Sequence, residues 1–194
     1  MTKSILLVGV GGQGTILAGK ILTNGLMEAG FDVKMSEIHG MSQRGGSVSS
    51  HVRYGEKVYS PVIELAGADV LVSFEKMEAL RWLEYLKPDG QIIVNDYSIP
   101  SLPMLIGKAK YPEGILETIK QKVENHIIID AMSIAKELGN TKVMNMVLLG
   151  ILIRSMSLES IDWEAIIKSD VKSQFVDINI EAFKQGCAQV VGKV

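Results

Sequence analysis

The stretch SILLVGVGGQGTILAGKIL, residues 4–22, decides the fold. Residues 5–8 form a continuous apolar run, as expected for a strand that is buried on both faces of a parallel sheet. Gly9, Gly11 and Gly14 then match the pattern G-x-G-x-x-G, in which missing side chains let backbone N–H groups approach an anion. Apolar residues at helical spacing follow. The stretch therefore predicts a strand, a tight turn and a helix whose N-terminus points at whatever lies over the glycines.

The ligand of this turn is left open by the sequence. A dinucleotide site also needs an acidic residue at the end of the second strand, about 20 residues further on. That strand is expected over residues 32–38, where Glu37 comes late and Asp32 stands at the wrong end. Gly12 and Gln13 inside the turn also depart from the usual fingerprint. Three interpretations remain: a bound NAD or FAD, a purely structural turn, or a different phosphorylated ligand.

Composition limits the class of protein. The chain has 194 residues, of which 47% are hydrophobic, and this predicts one globular domain over residues 1–194. The net charge of −2 and the scattered basic residues do not favour a nucleic-acid partner. The single cysteine, Cys187, cannot form an iron–sulfur or cysteine-rich zinc site within the chain. A start without a signal-peptide pattern predicts the cytoplasm, and the apolar residues 143–153 are too few for a membrane span.

The rest of the sequence alternates between strand and helix patterns. After the second strand comes HGMSQRGGS, residues 39–47, and then a β-hairpin expected from residues 48–54 and 57–60. Further strands are expected at residues 70–74, 91–95 and 126–130, with helices at 75–86, 115–123, 131–138, 163–168 and 180–191. Residues 96–112 contain three prolines and one glycine and are expected to form a loop. The predicted fold class is α/β: a Rossmann-like, mainly parallel sheet covered by helices, with an inserted β-hairpin.

One predicted helix, residues 143–156, is apolar almost all the way round. Such a helix must be buried on most of its sides. It is either a core helix of this chain or a helix that faces a partner subunit, and the sequence does not choose between the two.

The sharpest candidates for chemistry are His39, Gln43 and Arg44, just beyond the carboxyl end of the second strand. Ligands of open parallel sheets bind at this edge, and the glycine turn opens on it, so the two segments should be neighbours. Arg44 could hold a phosphate or carboxylate, and His39 could donate a hydrogen bond or move a proton. The structural alternative is that Arg44 pairs with Glu37 or a helix end and that His39 caps a turn.

The other reactive side chains have simpler explanations. His51 is expected to be a hairpin residue, His126 opens a buried strand, and Cys187 is expected to be a core thiol. Asp96 and Asp130 end strands and could reach the ligand edge, although carboxylates there often cap the following helix. No pair of histidines has the spacing of metal ligands, so no metal site is predicted.

Four motifs carry a resemblance to a known family. They are VGVGGQGTILAGKIL at residues 8–22, EIHGMSQRGGSVSSHVRYG at 37–55, SFEKMEALR at 73–81 and VNDYSIP at 94–100. With them the chain resembles the gamma subunits of the 2-oxoacid:ferredoxin oxidoreductases and, within that group, the beta subunit of indolepyruvate ferredoxin oxidoreductase. The resemblance covers essentially the full chain.

The resemblance implies a subunit that binds no catalytic cofactor alone and completes a larger enzyme. In the family, thiamine diphosphate with Mg²⁺ and 4Fe-4S clusters reside on a large alpha subunit, electrons pass to ferredoxin, and coenzyme A takes up the acyl group. The implied contacts with coenzyme A or the partner are Gly9, Gly11, Gly12, Gln13, Gly14, Gln43, Arg44, Gly45 and Gly46. His39 and Arg44 are the catalytic candidates. The alternative is a stand-alone Rossmann-like nucleotide-binding module or sensor.

Overall fold

The computed structural model describes residues 2–39 and 45–190. Its strands are β1 (Lys3–Val10), β2 (Asp32–His39), β3 (Ser47–Gly55), β4 (Ala68–Ser73), β5 (Leu86–Asn95) and β6 (His126–Ile129). Its α-helices are α1 (Thr15–Glu28), α2 (Lys76–Arg81), α3 (Leu102–Leu105), α4 (Ile115–Lys122), α5 (Ala131–Glu137), α6 (Met144–Ser155), α7 (Trp163–Asp170) and α8 (Val176–Ala188). None of the helices among these residues is both long and apolar enough to cross a membrane.

The six strands form one sheet in the order β2-β3-β1-β4-β5-β6. β1, β4, β5 and β6 are parallel, whereas β3 runs antiparallel to both β1 and β2. Helices cover the sheet, so the predicted α/β fold class is confirmed. Because β3 is inserted between β2 and β1, β2 lies at the edge of the sheet and does not contact β1.

The side chains of β1 pack into the apolar core on both faces of the sheet. Residues 5–8 are all buried, as their apolar run predicts. Side chains of a strand alternate between faces, so Ile5 and Leu7 join the core beneath α1 and α6, while Leu6 and Val8 join the core beneath α2 and α4. The glycine turn at the end of β1 is therefore fixed by apolar packing on both sides.

α6 is a core helix. Ten of its twelve residues are buried, and they pack with α1, α5, α8 and the sheet. Gly150 lets α8 approach closely, because a Cβ atom there would lie 2.1 Å from the Phe183 carbonyl oxygen. Gly186 does the same from α8, where a Cβ atom would lie 2.0 Å from the Val147 carbonyl oxygen. The sequence left open whether this helix lies in the core of the chain or faces a partner subunit, and the structure shows that it lies in the core.

Three expected elements differ from the structure. The antiparallel hairpin consists of β2 and β3, and residues 57–60 form no strand, so the boundaries expected for the hairpin were wrong. The helix expected over residues 75–86 ends at Arg81, because the next turn is a 3₁₀-helix and Leu86 already pairs with Ala68 in the sheet. Residues 96–112 contain the short helix α3, whose first turn accommodates a proline.

Candidate functional site

The turn between β1 and α1 needs its glycines for different reasons. Gly12 and Gly14 have φ angles of 105° and 81°, which side chains rarely adopt. Gly9 is needed for space, because a Cβ atom there would lie 2.8 Å from Gln13 Oε1 and 3.0 Å from Phe74 Cβ. Two of the three glycines of the G-x-G-x-x-G pattern, Gly9 and Gly14, are thus explained by the backbone and its close neighbours, before any ligand is considered.

The Gln13 side chain braces the turn from inside. The Val10 N–H donates to Gln13 Oε1 at 2.7 Å, and Gln13 Nε2 donates to the Phe74 carbonyl oxygen at 2.8 Å. The amide therefore connects the end of β1 to the end of β4. A contact of Gln13 with a ligand stays a prediction, while its hydrogen bonds with Val10 and Phe74 are structural.

The glycine turn and the second glycine segment are neighbours, as expected from the sheet edge they share. The Gly11 N–H donates to the Gly46 carbonyl oxygen at 2.8 Å, and the Gly45 N–H donates to the Gly11 carbonyl oxygen at 3.3 Å. These two bonds extend the β1–β3 pairing by one step. They also occupy the Gly11 N–H, so an anion at this turn would have to use the N–H groups that follow.

The N-terminus of α1 retains such groups. Within the described residues, α1 has no side-chain cap at Gly14 and no acidic residue in its first turn. Its first N–H groups have no partner within the helix and carry the positive end of the helix dipole. Gly12 is exposed, and no described atom lies within 4 Å of the position of a Cβ atom there. As far as the described residues go, the turn thus has room for an anionic group of a ligand or partner.

The remaining predicted site residues are only partly covered by the structure. His39 is exposed at the end of β2, in register with Val48. Gln43 and Arg44 lie outside the described residues, so their proposed roles rest on the sequence alone. Glu37 is exposed on the edge strand β2, which β3 separates from β1.

Two asparagines at this edge were missed as site residues. Asn145, on α6, is 2% exposed and donates through Nδ2 to the Gly14 carbonyl oxygen at 3.2 Å. Its buried Oδ1 has no hydrogen-bond partner among the described residues. Asn95, at the end of β5, donates to the Phe74 carbonyl oxygen at 3.1 Å and accepts from the Ala131 N–H at 3.0 Å. The sequence signal that could have found them is a single asparagine in an otherwise apolar helix, Asn145, and an asparagine at the end of an apolar strand, Asn95.

The two other histidines lie away from this edge. His51 is buried in β3, where Nδ1 accepts from the Ile63 N–H at 3.1 Å. Burial lowers the pKa of His51 below its ordinary value of 6.5. His126 lies half-buried with Nδ1 2.8 Å from the Val123 carbonyl oxygen.

The remaining candidates have structural partners. Asp130 caps α5 by accepting from the Ser133 N–H, as predicted, whereas Asp96 pairs with Lys76 at 2.9 Å. Burial raises the pKa of the Cys187 thiol, which lies 3.4 Å from the Gly150 carbonyl oxygen. Over the described ranges, no group of three His, Cys, Asp or Glu residues could hold a metal ion.

Comparison with known proteins identifies the family. Residues 4–189 match the family model described as Pyruvate ferredoxin/flavodoxin oxidoreductase. The chain belongs to this family. A curated relative from Pyrococcus horikoshii, named Indolepyruvate oxidoreductase subunit IorB, is 39% identical over 192 residues, which cover 94% of this chain and 93% of the relative. The resemblance seen in the motifs is confirmed, and the chain is a subunit of the 2-oxoacid:ferredoxin oxidoreductase family.

Solved structures of the family share the fold. The gamma subunit of a keto/oxoacid ferredoxin oxidoreductase from Geobacter sulfurreducens matches with a TM-score of 0.71 and 24% identity, covering 96% of this chain and 97% of that one. A 2-oxoglutarate:ferredoxin oxidoreductase from Magnetococcus marinus, solved with 2-oxoglutarate, coenzyme A and succinyl-CoA bound, matches with a TM-score of 0.74 and 22% identity. The match covers 97% of this chain and 31% of that longer chain. At these identities the likeness is one of fold.

Proposed function

We propose that this chain is the non-cofactor subunit of an indolepyruvate or other aryl-pyruvate:ferredoxin oxidoreductase, which oxidatively decarboxylates its 2-oxoacid to an acyl-CoA. The observation that carries this proposal is the full-length similarity to a relative named as an indolepyruvate oxidoreductase subunit. The chain is inactive alone and works in the cytoplasm with a large alpha subunit. Ferredoxin receives the electrons through that complex.

The proposed cofactors belong to the complex. Thiamine diphosphate with Mg²⁺ and the 4Fe-4S clusters reside on the alpha subunit and supply the decarboxylation and electron transfer. The single cysteine supports this division, because cluster ligation by one chain needs several thiolates.

The role of this chain's own residues is to bind and orient. The exposed turn at Gly12 and the uncapped N-terminus of α1 fit the phosphates of coenzyme A or an anionic group of the partner. Gly45 and Gly46 border the turn where β3 begins, and their backbone groups form hydrogen bonds with Gly11. Arg44 directly precedes Gly45 in the sequence and would add a guanidinium. His39 remains a candidate for proton transfer.

The stand-alone nucleotide-binding alternative is less well supported. A Rossmann site uses an acidic residue on a strand beside the glycine turn to bind ribose. Here β3 occupies the position beside β1, and Glu37 lies on the next strand outward. The similarity to oxidoreductase subunits also spans almost the whole chain.

Anaerobic co-expression with the candidate alpha subunit tests the proposal. The purified pair is assayed for coenzyme A-dependent reduction of ferredoxin or a viologen dye with indolepyruvate, phenylpyruvate and pyruvate. We expect activity only with both chains present and a preference for the aryl pyruvates. Two chains that neither associate nor show joint activity would contradict the proposal, and activity with pyruvate alone would contradict its substrate class.

A further inference from the structure

Glu75 is a fully buried carboxylate directly after β4. It caps α2 by accepting from the Glu78 N–H at 3.0 Å. Its other oxygen accepts from the Ile99 N–H at 3.1 Å and from the Tyr111 hydroxyl. Both ends of the segment that links β5 to α4, residues 96–114, are therefore fastened to one side chain.

Glu78, one turn further along α2, is 2% exposed. Its Oε2 accepts from the Ser47 hydroxyl and from Trp82 Nε1, the latter at 3.2 Å, and its Oε1 lies 3.4 Å from Arg81 Nε. Ser47 opens β3 and directly follows Gly46, which binds Gly11 of the turn. Glu78 is thus connected to the glycine turn through two consecutive residues.

The other carboxylate reaches the turn by a second route. Glu75 follows Phe74, whose carbonyl oxygen accepts from both Gln13 and Asn95. One series of contacts leads from the turn through Gly46 and Ser47 to Glu78. A second series leads from the turn through Phe74 to Glu75. Both series end at the N-terminus of α2, where Glu75 is the cap and Glu78 lies in the first turn.

We propose that Glu75 and Glu78 are positioning residues for two segments: residues 45–47, which bind the glycine turn, and residues 96–111, which follow β5 at the same edge of the sheet. By fixing these segments they set the affinity of this edge for its ligand. This second statement rests on the function proposed above. Neither carboxylate is proposed to contact the ligand.

Packing alone does not hold the longer of these segments. Leu102, Leu105 and Ile106 of α3 and its C-terminal end are 69%, 70% and 56% exposed, so they contribute little apolar burial. A buried carboxylate must be compensated by donors, and these come from residues 24 and 36 positions away in the chain. In this segment Glu75 therefore replaces a local apolar anchor with charge-assisted hydrogen bonds.

Hydrogen–deuterium exchange of the isolated full chain tests the positioning directly. Glu78→Gln is expected to speed amide exchange about tenfold in residues 45–50 and to leave 97–112 unchanged, because a neutral amide loses the charge that strengthens the hydrogen bond from Ser47. Glu75→Gln should have the reverse pattern. Asp69→Asn is the matched control, since this carboxylate at the opposite edge accepts from the Ser4 N–H at 2.8 Å and pairs with Lys87 at 2.8 Å. It should change neither segment.

The reconstituted complex tests the consequence for the ligand. Glu75→Gln and Glu78→Gln should raise the KM for coenzyme A about five- to tenfold with kcat nearly unchanged, as expected for lost binding alone. Asp69→Asn should leave both constants unchanged in the folded fraction. If either glutamine variant fails to fold, Ser47→Ala and Tyr111→Phe remove the partner hydroxyls instead and should have weaker effects in the same segments.

The outcomes separate this inference from the proposed function. Faster exchange over the whole chain, or unchanged exchange in both segments, would overturn the positioning role. A fall in kcat with an unchanged KM, or an equal rise of KM in Asp69→Asn, would overturn its link to the ligand. If the wild-type complex shows no coenzyme A-dependent activity, both the proposed function and the link of the glutamates to the ligand are wrong. The exchange pattern still decides the positioning role in that case.

Discussion

Gln13 and Phe74 are joined by a hydrogen bond of 2.8 Å from the side-chain Nε2 of Gln13 to the main-chain oxygen of Phe74. The two residues are 61 positions apart in the chain. Since Phe74 ends the β4 region and precedes α2, this bond holds the glycine turn against the neighbouring parallel strand. The turn is therefore built into the sheet and is not a free surface loop.

Removal of the Gln13 amide should destabilise the fold. Gln13→Ala leaves the Val10 N–H and the Phe74 carbonyl oxygen without this partner, which should cost about 2–3 kcal/mol in the free energy of unfolding. Chemical denaturation measures the change. Gln91→Ala is the control, because the amide of Gln91 makes an exposed hydrogen bond to Asn125 and its loss should cost less than about 0.5 kcal/mol. Equal losses in the two variants would contradict the bracing role.

The two left-handed glycines of the turn should differ in their tolerance of alanine. Gly14→Ala combines an unfavourable φ of 81° with a Cβ atom 2.6 Å from Asn145 Nδ2, and should destabilise the fold by about 2–4 kcal/mol. Gly12→Ala meets no described atom and should cost about 1–2 kcal/mol from backbone strain alone. Unfolding curves compare the two variants. Adding Asn145→Ala to Gly14→Ala should recover part of the loss, and no recovery would show that the clash is not its cause.

The crossing of α6 and α8 should be sensitive to a single methyl group. Gly150→Ala places a Cβ atom 2.1 Å from the Phe183 carbonyl oxygen, so the helices must separate, at about 2–4 kcal/mol. Gly30→Ala, with a φ of 88° and open space, is the control and should cost about 1–2 kcal/mol. Thermal unfolding gives both values. A Gly150→Ala variant as stable as wild type would show that the two helices can accommodate a methyl group at this crossing without loss of packing.

His51 should make stability fall in mild acid. The unfolded chain binds a proton near the ordinary pKa of 6.5, whereas burial lowers the pKa of His51 in the folded chain. The contribution of neutral His51 to the free energy of unfolding is therefore fully present above about pH 7. Below pH 6.5 it is lost by up to about 1.4 kcal/mol per pH unit. Denaturation between about pH 7.5 and 5.5 measures the slope. His51→Asn, which keeps an acceptor for the Ile63 N–H, should flatten it, and an unchanged slope would contradict the assignment.

Arg44 should matter for activity more than for folding. On the proposed function, Arg44→Ala lowers acyl-CoA formation or assembly with the alpha subunit by about 100-fold, the loss of roughly 3 kcal/mol from a charge-assisted bond. The unfolding free energy should change by less than about 0.5 kcal/mol. The reconstituted assay measures activity, and Arg154→Ala, at the far end of α6, is the control. Wild-type activity of Arg44→Ala would exclude the role proposed for this guanidinium.

Local patterns predicted much of this structure correctly. The apolar residues 5–8, the three motif glycines and the helical pattern after them give β1, the turn and α1, because each depends on neighbours in the chain. Hydrophobic patterning likewise predicted the α/β alternation and the burial of α6 on most of its sides. It left open whether the core or a partner subunit covers this helix.

The errors fall where distant residues decide the outcome. Residues 57–60 have strand-like composition, but β2 occupies the free edge of β3. The helix expected up to residue 86 stops at Arg81, because Leu86 is drawn into the sheet beside Ala68. Burial and strand pairing thus override the local preference.

The sequence by itself determined the family, the central strand–turn–helix and the proximity of the two glycine segments. Only the tertiary structure decided that Gln13 braces the turn, that Gly46 occupies the Gly11 N–H and that Glu75 and Glu78 are buried. The reason is physical: the donors and acceptors involved lie roughly 30 to 60 residues apart in the chain, and no local pattern specifies which of them meet once the apolar core has formed.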